Sequence, residues 1–94
     1  MRLTLGDAVA DVPVSSTKSL HGQALEAAGV LEFIVTLLAA RKGMLPANAG
    51  FLGPDDSCPL HLVLDGAAAA TPRYAMSLNS AFGGANTALV LGLP

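Results

Sequence analysis

Several places in the chain carry side chains whose types and spacing suit chemistry. Ser15-Ser16-Thr17-Lys18 has the S-x-x-K spacing of a serine nucleophile served by a lysine, and Ser77-Leu78-Asn79 loosely fits a companion motif. That signature needs the serine to open a helix and a third K-T-G element, which the chain lacks. Cys58 stands in Asp55-Asp56-Ser57-Cys58-Pro59, where neighbouring carboxylates disfavour a thiolate, so it reads as a loop or packing cysteine. His21 and His61 are too far apart to form a spaced metal motif. His61 alternates with Leu60 and Leu62 and reads as the solvent side of a strand. His21 falls at a strand-to-helix corner, a place for functional side chains and equally for a local capping role. Phe82-Gly83-Gly84 lacks both G-x-G-x-x-G and a Walker-type lysine, so it is no phosphate cradle. Its adjacent glycines suit a plain turn or a close approach to a ligand, and spacing favours the turn.

The elements that must position these groups follow from periodicity. Val12 to Ser16 reads as a short strand in which Pro13 limits the ladder bonds. A helix is predicted from about Gly22 to Ala40, with Leu25, Ala28, Leu31, Val35 and Leu38 at helical spacing. Ala24, Ala27, Val30, Phe33, Ile34 and Leu37 fill its other faces. Arg41 and Lys42 suit the negative end of the helix dipole, and Gly43 suits a left-handed cap. Met44 to Pro59 is loop-like, Leu60 to Leu64 a strand, and Ala67 to Pro72 an alanine turn. Tyr74 to Leu78 and Thr87 to Leu91 read as closing strands joined by the Asn79–Asn86 loop, which makes the order β-α-β-β-β.

Composition sharpens one conflict. The 94 residues are 52% hydrophobic and 13% charged, with 4% aromatic and no Trp. An ordinary domain carries roughly 25% charge. Disorder is excluded by the apolar content. A net charge of −2 and five scattered Lys and Arg argue against a nucleic-acid partner. One cysteine excludes an internal disulfide framework and makes a reducing, cytoplasmic compartment the expectation. The first residues lack the apolar core of a signal peptide. Glu26 and Glu32 interrupt the Ala24–Ala40 run, so no membrane partner is expected. A helix apolar nearly all round is normally buried on all sides, yet a chain this short covers only one side. Another subunit or further polypeptide should pack there, and the isolated chain should self-associate.

Taken in order, these segments resemble the C-terminal end of a β-ketoacyl-acyl-carrier-protein synthase. Against the pattern V-x-S-T-K-S-x-x-G-H-x-x-x-A-A-G the chain runs from Val14 through Ser16-Thr17-Lys18-Ser19 and Gly22-Gln23 to Ala27-Ala28-Gly29. Arg41 matches the arginine after the helix. Gly53-Pro54-Asp55-Asp56-Ser57-Cys58-Pro59-Leu60 matches N-P-D-x-x-C-x-L. Asn79-Ser80-Ala81-Phe82-Gly83-Gly84-Ala85-Asn86 matches N-S-F-G-F-G-G-x-N, one residue shorter.

The resemblance implies an α/β chain forming the C-terminal part of a thiolase-like fold. Residues 1–94 would be the C-terminal portion of that domain, with a mixed sheet and the apolar helix buried in the central layer of an αβαβα sandwich. It implies transfer of an acyl chain to a cysteine, then decarboxylation of a malonyl thioester and condensation of the two, in fatty-acid or polyketide synthesis. The nucleophilic cysteine and one catalytic histidine belong to the part of the family that this chain does not match, and Cys58 matches a non-catalytic loop cysteine. Lys18 matches a lysine that supplies positive charge beside the catalytic pair. Phe82 matches the phenylalanine that gates the acyl pocket and lends its N–H to the oxyanion hole, with Gly83 beside it. Gln23 replaces the second catalytic histidine. Its amide can still donate a hydrogen bond but cannot titrate. No cofactor or metal is implied. The implied partners are an acyl carrier protein and a second synthase subunit, as homodimer or heterodimer. The alternatives are a non-catalytic chain-length-factor-like subunit and a standalone packing or dimerisation module.

Overall fold

The computed structural model describes residues 1–94. Strand β1 (Pro13–Val14) leads through a short helix α2 (Lys18–His21) and a 3-10 turn (Leu25–Ala27) into the main helix α3 (Ala28–Lys42). Ahead of β1 lie helix α1 (Arg2–Leu5) and a 3-10 segment (Gly6–Asp11), for which the sequence carried no expectation. After α3 come β2 (Met44–Leu45), β3 (His61–Leu62), β4 (Ala68–Ala69), β5 (Tyr74–Ser80) and β6 (Asn86–Gly92). The chain is thus mixed α/β. Its strands form three two-stranded ladders: β1 with β3 in parallel, β2 with β4 and β5 with β6 antiparallel.

The expected helix is present, but it begins later than its apolar spacing suggests. Gly22 adopts φ +82° and closes α2, its N–H donating to the Lys18 carbonyl. Leu25 then takes φ +48°, a left-handed conformation that costs an ordinary L-residue about 1–2 kcal/mol. Regular helix therefore starts only at Ala28. The C-terminus follows expectation. Gly43 is left-handed and its N–H reaches the Ala39 and Ala40 carbonyls. A Cβ there would meet the Ala70 carbonyl oxygen at 3.0 Å, so close approach adds to the conformational reason for glycine. Part of the predicted alanine turn is instead β4, paired with the start of the predicted loop: Met44 faces Ala69 and Leu45 faces Ala68.

Burial is sparse. Val9, Ala28, Ala40, Val63 and Ser77 are the only buried residues. Helix α3 is therefore not buried on all sides within this chain. Val30 is 63% exposed, Ile34 45% and Leu38 47%. Its covered side lies on β5, whose alternation is inverted. Ala75, Ser77 and Asn79 turn inward, while Tyr74, Met76 and Leu78 are exposed. The accessible surface of 6903 Å² compares with about 5,000 Å² for a folded monomer of 9.4 kDa. A typical specific interface covers about 800 Å² on each partner, so the excess exceeds a standard patch. The isolated chain is accordingly expected to sediment as dimers or larger species, and Ile34→Lys with Leu38→Lys is expected to shift it toward monomer. Strictly monomeric behaviour of the unaltered chain at high concentration would remove the basis for this reading. No helix is long and apolar enough to cross a membrane.

Candidate active site

The corner after β1 carries most of the candidate residues. Pro13 has no N–H, and the parallel ladder pairs only Pro13 with His61 and Val14 with Leu62. Beyond it, Ser15 Oγ donates to the Pro46 carbonyl at 2.5 Å, and the Ser16 N–H donates to Asn48 Oδ1 at 2.8 Å. Ser15 thus precedes α2 without opening it, and its hydroxyl is occupied by a carbonyl. A serine nucleophile at this position has neither the helix start it needs nor a hydroxyl proton directed at the lysine.

Lys18 opens α2, and its Nζ forms an ion pair with Glu32 Oε1 on α3. The Lys18 side chain is 41% exposed and that of Glu32 15%. Both line a cleft of about 530 Å³ bounded by the β1 corner, α3 and β5, with Val35, Thr36 and Ser77 among its walls. Glu32 was visible in the sequence only as a carboxylate interrupting an apolar helix. The pairing supplies its reason, since a largely covered carboxylate needs a cation or hydrogen-bond donors. The Thr36 hydroxyl, one turn on, donates to the Glu32 backbone carbonyl at 2.8 Å and leaves the carboxylate to Lys18.

His21 takes the local role. Its Nδ1 lies 3.0 Å from the Gly22 carbonyl and its Nε2 2.9 Å from Thr17 Oγ1. A carbonyl only accepts, so Nδ1 carries the proton, and in the neutral ring Nε2 accepts from the threonine hydroxyl. Gln23 follows on the exposed segment between α2 and α3, with no side-chain hydrogen bond. Phe82 and Gly83 sit on the β5–β6 turn, where Phe82 is 99% exposed. Gly83 and Gly84 both take φ +86°, and the turn closes through Ala81 N–H to the Ala85 carbonyl at 2.8 Å. The expected turn is present. It is braced by Ser80 Oγ to Asn86 Oδ1 at 2.7 Å and Asn86 Nδ2 to the Gly84 carbonyl at 3.1 Å. No hydrogen bond or ion pair joins Gln23, Phe82 or Gly83 to Lys18, and none of the three lines the cleft.

His61 is exposed on β3 as expected, and Cys58 is exposed and free. Beside it the Asp55 carboxylate accepts from the Ser57 hydroxyl at 2.6 Å and the Ser57 N–H at 2.9 Å, which holds its pKa below the ordinary carboxylate value. This local turn is therefore secure at neutral pH and loosens only as pH falls through that lowered value. The residue that sequence reasoning missed is Asn48. Its Nδ2 donates to the Val14 and Val63 carbonyls, each at 3.0 Å, while its Oδ1 receives the Ser16 N–H. An asparagine in a proline- and glycine-rich loop gives no sequence signal of such a role.

Comparison with known proteins now places the chain. Residues 2–52 match the family described as beta-ketoacyl synthase, C-terminal domain, which is more than half of the chain. The chain belongs to that family, as a C-terminal segment of a β-ketoacyl-acyl-carrier-protein synthase. It is 40% identical over 91 residues to the tetracenomycin polyketide synthase ketoacyl synthase alpha subunit of Streptomyces glaucescens, covering 97% of this chain and 21% of that protein. It is 38% identical over 91 residues to 3-oxoacyl-[acyl-carrier-protein] synthase 2 of Coxiella burnetii, covering 97% and 22% respectively. It is 34% identical over 89 residues to nodulation protein E of Rhizobium meliloti, covering 95% and 22%. The chain thus spans about a fifth of the length of these relatives.

Proposed function

We propose that residues 1–94 form the C-terminal portion of a thiolase-like condensing domain and contribute to decarboxylative joining of acyl and malonyl thioesters. The observation that carries this reading is the Lys18–Glu32 ion pair at the edge of the cleft. In the reaction, loss of CO2 from the malonyl thioester leaves a carbanion that attacks the acyl thioester carbon, and the cysteine thiolate departs. Negative charge grows on the malonyl thioester oxygen during the first step. Lys18 supplies positive potential there, and the Gln23 amide donates a hydrogen bond in place of an imidazole. Phe82 gates the acyl pocket, and its N–H, with Gly83 beside it, faces the acyl thioester oxygen.

On this reading the chain alone has no acyl nucleophile, and its substrate arrives on an acyl carrier protein. The exposed sides of α3 would be covered in the central layer of the complete sandwich, which accounts for the excess apolar surface. Gln23 favours one second reading, a non-catalytic subunit paired with an active synthase. The purified 94-residue chain is expected to show no turnover of malonyl-carrier protein. The same chain joined to the rest of a synthase, including its cysteine, is expected to condense. Detectable condensation by the chain by itself would sink the proposal, and an intact protein that promotes condensation only through a partner's cysteine would favour the second reading.

A further inference from the structure

The ladder between β1 and β3 ends before the backbone reaches the candidate site. Val14 still receives the Val63 N–H at 3.1 Å, but Ser15 and Ser16 have no strand neighbour. Asn48 takes over there. Its Oδ1 holds the Ser16 N–H, its two Nδ2 hydrogens satisfy Val14 and Val63, and its own N–H donates to Val63 at 2.8 Å. The side-chain amide offers one planar acceptor and two donors, and all three point at backbone groups of the two strands and the corner. It behaves as an extra peptide rung, contributed from 32 positions along the chain. Lys18 lies two residues beyond the amide that Asn48 holds.

We propose that Asn48 is the positioning residue for Lys18, fixing the backbone from which the ammonium reaches Glu32. This rests on the reading of Lys18 as the charge of the site, and its test does not depend on turnover. Lys18 and Lys42 are the only lysines, and Lys42 is exposed, so lysine-labelled protein gives one reporting ammonium and one internal control. In the unaltered chain the Lys18 ammonium should exchange more slowly than that of Lys42.

In Asn48→Ala, exchange of the Ser16 amide is expected to rise about tenfold, the scale of one lost hydrogen bond. The Lys18 ammonium is expected to come to resemble Lys42, while the β5–β6 amides keep their protection. Asn48→Ser, which retains one donor, is expected to fall between. A Lys18 signal unchanged in Asn48→Ala overturns the proposal. Loss of β5–β6 protection in step with Lys18 in both variants also overturns it, since Asn48 would then hold the fold rather than the corner. A Lys18 response without any condensing activity in the intact protein supports the positioning role and counts against the proposed function alone.

Discussion

Replacing Lys18 by Met in the intact synthase is expected to slow decarboxylation of malonyl-carrier protein by about 10²-fold, the scale of losing one preorganised electrostatic contact. Glu32→Leu is expected to act in the same direction but less severely, because the ammonium remains and only its anchor is lost. Stability should respond differently. Lys18→Met leaves the Glu32 carboxylate largely covered and without its cation, a situation that costs about 1–3 kcal/mol. The pair itself contributes at most about 1 kcal/mol, because Lys18 is 41% exposed and solvent screens it. Removing both partners with Lys18→Met and Glu32→Leu leaves no unpaired charge, so thermal stability should return close to that of the unaltered protein. Decarboxylation should stay low. Rates of CO2 release and thermal unfolding on all three variants check this. A double variant that turns over normally would show that the reaction makes no use of the charge.

The second large effect is expected at Gln23. Gln23→His should raise turnover of the intact synthase by about 10²-fold, the lower end of what a positioned acid–base group supplies. The gain stays at that end because, on the proposed reading, the glutamine amide donates to the thioester oxygen, and only titration is added. Gln23→Ala should lower turnover by about tenfold, near the value of a single neutral donor. His21 does not already fill the vacancy, since its two ring nitrogens are committed to Thr17 and Gly22. His21→Ala should therefore loosen the α2 turn while changing turnover little. The check is the pH–rate profile, which should gain one further ionisation in Gln23→His that the glutamine protein lacks. An unchanged rate in Gln23→His would speak for a non-catalytic subunit.

Sequence and structure agree where a local rule decides the backbone. Gly43 ends α3 because a left-handed cap suits glycine, and Arg41 and Lys42 precede it as the dipole favours. The hairpin was legible because two short, largely apolar runs flank a loop with paired glycines; the observed strands run slightly further, from Tyr74 to Ser80 and from Asn86 to Gly92. The start of α3 was not legible. Apolar spacing continues smoothly through Leu25, yet the backbone there is left-handed. The two-residue pairing of β2 with β4 was equally hidden, since an alanine run has no strand signature and its partner lay inside an apparent loop. In the site, Lys18 stood out through its motif, but its partner did not. Glu32 lies on the following helix, α3, and only the folded corner between α2 and α3 brings the two together. Asn48 acts through backbone groups alone, so no pairing of residue types announces it.

The β5–β6 ladder has a consequence for how this polypeptide can fail. It is the longest pairing in the chain, seven residues on each strand, and no other strand covers either of its outer edges. An uncovered edge presents unpaired N–H and C=O groups to any other extended segment. Thr87-Ala88-Leu89-Val90-Leu91 contains neither a charge nor a proline to discourage stacking, and Leu89 and Val90 are exposed. Such a segment has the composition of a cross-β template. The hairpin that carries Phe82 is thus also a part of the chain open to amyloid-like growth, and whatever covers its edges protects solubility.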